Sequence, residues 1–202
     1  MLELRREQLA AGARPIGWKA GFGAPGGLAL LGTTAPLVGF LTDRTVLESG
    51  VVVSLEGWAN PMLEPEIALY LDGHGGITEI GPAIEIADLD PPPDDAESIL
   101  GRNIYHRGVV LGSERAATAA GTAMRLLRNG EEVGATAEVE ELTGPHAMLA
   151  RLVSETVGEL VQPGDVLIAG SITPPLPVRP GDRVRYELEP LGSLELTFAP
   201  AG

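Results

Sequence analysis

Two glutamates one residue apart, Glu64 and Glu66, open the run EPEIALYL, and a third, Glu85, stands inside the apolar run PAIEIA. On a strand, residues i and i+2 project from the same face, so Glu64 and Glu66 point together. Like charges held that close repel each other and resist desolvation unless a cation neutralises them. The same spacing also suits a solvated strand face. Glu85 shifts the balance, because an isolated charge among Ala83, Ile84, Ile86 and Ala87 is expensive to bury. A hairpin-like return between Leu71 and Ile77 would bring it beside the first pair. Three carboxylates, with no Cys and only three His in the chain, suit a hard cation with oxygen ligands, Mg²⁺ or Mn²⁺, rather than zinc. Pro65 between the paired glutamates predicts an edge strand or a bulge, where backbone pairing is interrupted.

Lys19 is the second residue able to do chemistry. Flanked by Trp18, Ala20 and Phe22, its ammonium is buried with a partner, reaches into a cleft, or snorkels from an edge strand. Beside a carboxylate cluster it would bind a substrate carboxylate or move protons. Of the histidines, His74 falls in the turn DGHGG and His146 at a helix start, where it caps or packs. His106 is the one kept as a pocket residue. Cysteine chemistry is excluded outright, and no GxSxG, P-loop or dinucleotide fingerprint is present.

Stepping outward, the elements that must carry these side chains are mostly strands. The patterning predicts a short helix over 2–11 and a strand over 16–22. A turn at 23–27 and a helical turn at 28–31 follow, then a strand or loop over 36–41. Val46, Val51, Val53 and Leu55 alternate as one strand does. Residues 64–71 and 77–86 form a strand pair, and the acidic, proline-rich run 88–95 is a surface loop. A short helix over 96–103 precedes a strand over 108–112. Asn129-Gly130 marks a hairpin between 124–128 and 131–133. Residues 145–160 form one amphipathic helix that packs on the core through Met148, Leu149, Leu152, Val153, Val157 and Leu160. Strands over 166–169, 184–188 and 194–198 close the chain. Gly (27) and Pro (17) are abundant among the 202 residues, as in chains with many turns. The sum is one β-rich α+β domain with few helices.

The formal net charge of −14 argues against nucleic acid and anionic membrane surfaces, which need a basic face. An acidic chain can still take an anionic substrate where a metal or a placed Lys reverses the local sign. No apolar run is long enough to span a bilayer and no secretory signal is visible, so a cytoplasmic protein is expected.

Taken together these segments resemble the fumarylacetoacetate hydrolase superfamily, within it the branch of 2-keto-4-pentenoate hydratases and 4-oxalocrotonate decarboxylases. The matching stretches are GWKAGF (17–22), PxxGxL (36–41), EPEIAL (64–69), PAIEIAD (82–88), NIYHRGVVLG (103–112), RNGEEV (128–133) and QPGDVLIAGSITPPLPVRPGDRV (162–184). The resemblance implies a mixed β-roll, a homodimer or larger assembly, and Mg²⁺ or Mn²⁺ held by Glu64, Glu66 and Glu85. It sets Lys19 on the family's active-site lysine, and Ser171 and Thr173 in the substrate pocket. The implied activity is hydration of a small 2-oxo-4-alkenoate through metal-assisted enolisation. Its alternatives are decarboxylation of a vinylogous 2-oxo acid and a non-catalytic scaffold. Three departures stand out. Residues 1–15 form a shorter leader than the family usually has, and only 18 residues separate Glu66 from Glu85. At the substrate-side position where hydratases often carry Asp, this chain has Leu37.

Overall fold

The structure is a computed structural model that describes residues 1–92, 95–118, 120–139 and 146–202. Helix α1 (Leu2–Ala10) precedes β1 (Pro15–Gly21), the short helix α2 (Pro25–Leu31) and β2 (Leu37–Thr42). A 3-10 turn at Asp43–Thr45 leads to β3 (Val46–Leu47) and β4 (Val52–Val53). The long hairpin of β5 (Pro61–Leu71) and β6 (Ile77–Asp88) follows, then α3 (Ala96–Gly101) and β7 (His106–Leu111). The rest of the chain gives β8 (Ala123–Arg128), β9 (Glu131–Thr136), α4 (His146–Val157), β10 (Val166–Ile168), β11 (Leu176–Pro177), β12 (Arg183–Glu189) and β13 (Ser193–Phe198).

Among the described residues the strands form two sheets. The first runs β2-β1-β10-β5-β6-β7-β3, with β11 also on β5; the second runs β4-β13-β12-β8-β9. In the first sheet the two edge strands, β2 and β3, are consecutive in the chain, joined by Asp43–Thr45 alone. Laid flat, six strand spacings would separate those edges by roughly 29 Å. Four residue steps reach at most about 15 Å. The sheet therefore curls until its edges approach each other, and the mixed β-roll expected from the resemblance is the result.

Strand alternation then gives the roll two unlike surfaces. Trp18, Phe40, Leu63, Ile67, Leu69, Ile84 and Ile86 face the main core, against Tyr186, Leu196 and Phe198 of the second sheet and Ala150, Val153 and Val157 of α4. Each such fully buried aliphatic side chain contributes roughly 1.5–3 kcal/mol. The opposite parity lines the inside of the curl with smaller residues, Ala68 and Ala83 among them, and with Lys19, Glu64, Glu66 and Glu85.

Several local expectations change. The alternating run from Val46 to Leu55 is two strands in different sheets: β3 pairs with β7 and β4 with β13. Gly50, at φ 88°, turns the chain between them. Pro65 lies in an interior strand rather than at an edge or a bulge. Its missing N–H costs nothing there, because that side of β5 faces the loop between β10 and β11, where the Ile172 amide donates to the Pro65 carbonyl. Asp88 is the buried last residue of β6 rather than part of a surface loop, and its carboxylate accepts from the Ala59 and Asn60 amides. Of that loop, residues 93–94 lie outside the described residues, as does Pro145 of the predicted helix. In α4 Met148 is 68% exposed, and Leu160, in the 3-10 turn Gly158–Leu160 that follows, is 39% exposed. Neither belongs to the core. Residues 25–31 form a full helix rather than a turn and a helical turn, and α3 ends at Gly101, short of Asn103.

Candidate metal centre

The β5–β6 hairpin builds the centre by register alone. Glu64 pairs directly with Glu85, and Glu66 sits opposite Ala83, whose small side chain leaves room on the shared face. One carboxylate oxygen from each of Glu64, Glu66 and Glu85 falls within 4.8 Å of the others. One oxygen each of Glu66 and Glu85 is tied to the protein. Glu66 Oε2 accepts the Gly170 amide at 2.8 Å, while Oε1 is buried without a partner. Gly170 adopts φ 98°, a conformation glycine takes readily, and its loop crosses β5 through the Ala169 and Ile172 amides. On the other strand, Glu85 Oε1 takes both Lys19 Nζ and His106 Nδ1, the latter at 2.7 Å, which leaves Oε2 for another partner.

Lys19 is buried, on β1, with its ammonium between Glu85 and the carbonyl of Ile104 at 3.1 Å. That carbonyl comes from an unusual backbone. Asn103, Ile104 and Tyr105 have φ of 51°, 53° and 60°, one turn of left-handed helix in three non-glycine residues, which costs roughly 1–2 kcal/mol for each. The Asn103 carboxamide anchors the turn. Its Oδ1 accepts the Phe40 amide and its Nδ2 donates to the Phe40 carbonyl, both at 2.8 Å. Gly39 makes the space, since a Cβ there would stand 2.8 Å from both Asn103 Oδ1 and Lys19 Cγ.

Electrostatics follow from this packing. Burial, with repulsion from Glu85, raises Glu64 to about 7. Burial first, then Glu85 and Glu64, raise Glu66 well above the carboxylate range. Burial alone would raise Glu85 too, but Lys19 and the His106 hydrogen bond outweigh it and hold Glu85 at about 2. Burial lowers His106 despite Glu85 beside it, which favours the neutral ring; its Nδ1 faces Glu85 and its Nε2 meets Thr45 Oγ1, 3.0 Å away. Were all three carboxylates deprotonated, as cation binding requires, the one ammonium would leave two negative charges, which a divalent cation neutralises. The donor set is all oxygen. The orphaned Glu66 Oε1 and the uncommitted Glu85 Oε2 therefore fit Mg²⁺ or Mn²⁺.

Lys19, His106 and the three glutamates gather here, whereas the methyl of Thr173 lies toward Gly134 of β9 in the second sheet. Ser171 Oγ and Thr173 Oγ1, in the loop over Glu66, are buried without partners. His106 spends both ring nitrogens on Glu85 and Thr45, so it supports a carboxylate rather than facing a substrate. Leu37 is buried in an apolar cluster with Ala87, Ile99, Ile104 and Tyr105, one side of which carries the Ile104 carbonyl. A cleft of about 770 Å³ lined by Tyr70, Glu79, Arg115 and Asp165 touches none of these residues. Sequence reading missed Asn103, Thr45 and Tyr186, whose hydroxyl donates to the Glu66 carbonyl at 3.1 Å. Only Asn103 left a signal, a lone amide in the run NIYH.

Comparison with known proteins adds four findings. A family model described as fumarylacetoacetate (FAA) hydrolase C-terminal matches residues 71–199. Over 97% of its length this chain is 29% identical to 82% of a 4-oxalocrotonate decarboxylase of Pseudomonas sp. strain CF600. Over 98% it is 29% identical to 82% of a 2-hydroxyhexa-2,4-dienoate hydratase of Comamonas testosteroni. Among solved structures it is similar to the 4-oxalocrotonate decarboxylase from Pseudomonas putida G7 complexed with magnesium and adipate. The TM-score is 0.84 at 27% identity, covering 98% of this chain and 82% of that one.

Proposed function

Because this chain belongs to the fumarylacetoacetate hydrolase family, we propose that it is a divalent-metal-dependent lyase that enolises a small 2-oxo acid and hydrates a 2-oxo-4-alkenoate. The observation that carries the reading is the convergence of three carboxylates, of which Glu66 and Glu85 each keep a free oxygen and Glu85 is also salt-bridged to a buried lysine. Glu64, Glu66 and Glu85 would hold Mg²⁺ or Mn²⁺. Once bound, the cation supplies Lewis acidity toward the carboxylate and 2-oxo oxygens of the substrate. Lys19 would donate to the substrate carboxylate or carry the proton exchanged at the enolising carbon. Ser171 and Thr173, whose hydroxyls lack partners, would donate to substrate oxygens. His106 keeps Glu85 ionised and oriented. The magnesium in the similar decarboxylase structure supports this ligand chemistry.

Decarboxylation of a vinylogous 2-oxo acid is the second reading, favoured by Leu37. That position is apolar here and offers no group to activate water. Incubation with Mg²⁺ and either 2-hydroxypenta-2,4-dienoate or 4-oxalocrotonate separates the two. Loss of the diene without gas is the expected result, and release of carbon dioxide as the main product would overturn it in favour of the second reading. A folded, Mg²⁺-binding protein that converts neither compound would leave the non-catalytic scaffold. The same proposal takes the chain as one catalytic unit, a leader over 1–15 and a roll over 16–202. It would work in the cytoplasm as a homodimer or larger assembly, which sedimentation velocity measures.

A further inference from the structure

Lys19 carries three N–H bonds in a tetrahedral arrangement. Glu85 and the Ile104 carbonyl take two of them, so the positions of those two acceptors set the direction of the third. Glu85 is fixed by the β5–β6 register. The Ile104 carbonyl is set by the left-handed turn, which hydrogen-bonds to β6 through the Tyr105 carbonyl and to β2 through the Asn103 side chain. Asn103 pairs with both the N–H and the C=O of Phe40, as a neighbouring strand would. It is also one of the few residue types that tolerate positive φ.

We propose that Asn103 is a positioning residue for proton transfer by Lys19: its carboxamide clamps the turn to the free edge of β2 and so aims the remaining ammonium N–H at the substrate. The proposal deepens the enolisation reading and rests on it. The clamp hydrogen-bonds to Phe40 and to none of the carboxylates, so it acts on the direction of the ammonium rather than on cation affinity.

The test uses the full chain with Mg²⁺, following deuterium exchange at C3 of a saturated 2-oxo acid by NMR, with Mn²⁺ affinity measured in parallel. Asn103→Ala is expected to lower kcat roughly 10- to 100-fold, the scale of a small misplacement of a reacting group. KM and Mn²⁺ affinity should stay within about threefold, because ground-state binding is unchanged. Asn103→Gly keeps the positive φ without strain but removes the clamp, and its kcat should fall as far as that of the alanine variant. Asn103→Asp retains the acceptor for the Phe40 amide and should recover part of the rate. A folded Asn103→Gly protein with kcat within about twofold of wild type overturns the proposal, whatever becomes of the alanine variant. Wild-type protein that exchanges no proton at all overturns instead the enolisation reading beneath it.

Discussion

Glu66 and Glu85 are both buried ligands in the proposed centre, yet their removal should act differently on the metal-free protein. Burial and its neighbours hold Glu66 well above the carboxylate range, which favours its neutral form, and Glu66→Gln, which mimics that form, removes little. Its melting temperature without metal should be unchanged or higher, while Mg²⁺ affinity, by calorimetry, falls more than about 100-fold, beyond the loss of an outer-shell partner. Glu85 is ionised and pairs with Lys19. Glu85→Gln strands a buried ammonium and should cost about 3–5 kcal/mol in denaturant unfolding. A pH dependence follows as well. Glu64, raised to about 7 from 4.5, contributes stability that is full below pH 4.5 and lost as pH rises through 7. Glu85, lowered to about 2, contributes stability that is present above pH 4.5 and lost as pH falls toward 2. The metal-free protein should therefore lose stability between pH 4.5 and 7, and the gain on adding Mg²⁺ should grow over the same interval. Thermal melts with and without Mg²⁺ from pH 5 to 8 check the sign, and a gain that shrinks with pH would contradict it.

At the scale of elements, the hairpin was the most legible part of the chain. Its two-residue period put Glu64 and Glu66 on one face, and an apolar surround singled out Glu85. What lay hidden depends on contacts between elements distant in sequence. Pro65 reads as a strand breaker until the loop from β10 is seen to cross beside it. The run from Val46 to Leu55 keeps a strand's alternation while the chain passes from one sheet to the other, because each half takes a different partner. Met148 has helical spacing but faces outward, since the buried stripe of α4 runs through Ala150, Val153 and Val157. Tyr186 is invisible as a site residue because its role is a single bond from the second sheet to the Glu66 carbonyl. Tyr186→Phe should cost about 1–3 kcal/mol in urea unfolding, the penalty for an unsatisfied buried acceptor. It should also weaken Mg²⁺ binding less than Glu66→Gln does.

For the whole molecule, the centre lies inside a sheet whose edges are brought together by Asp43–Thr45, and Thr45 also meets His106 behind Glu85. Cation binding should thus be read out globally. At a hundred times its dissociation constant, Mg²⁺ should stabilise the fold by about 2.7 kcal/mol, a rise of roughly 5–10 °C for a chain of this size. EDTA should reverse it in a calorimetric scan. Among the described residues no helix is long and apolar enough to cross a membrane. On the outside of the second sheet, Arg125 and Arg185 bridge Glu132, Glu187 and Glu195 across strands. This is an ion-pair network of the kind water favours. The alternation of the first sheet has a consequence for inheritance. In β5 the odd positions Leu63, Ile67, Leu69 and Leu71 specify the core and the even positions Glu64 and Glu66 specify the chemistry, so the two can drift on separate clocks. A lineage can rewrite its reaction in every second letter without renegotiating its fold.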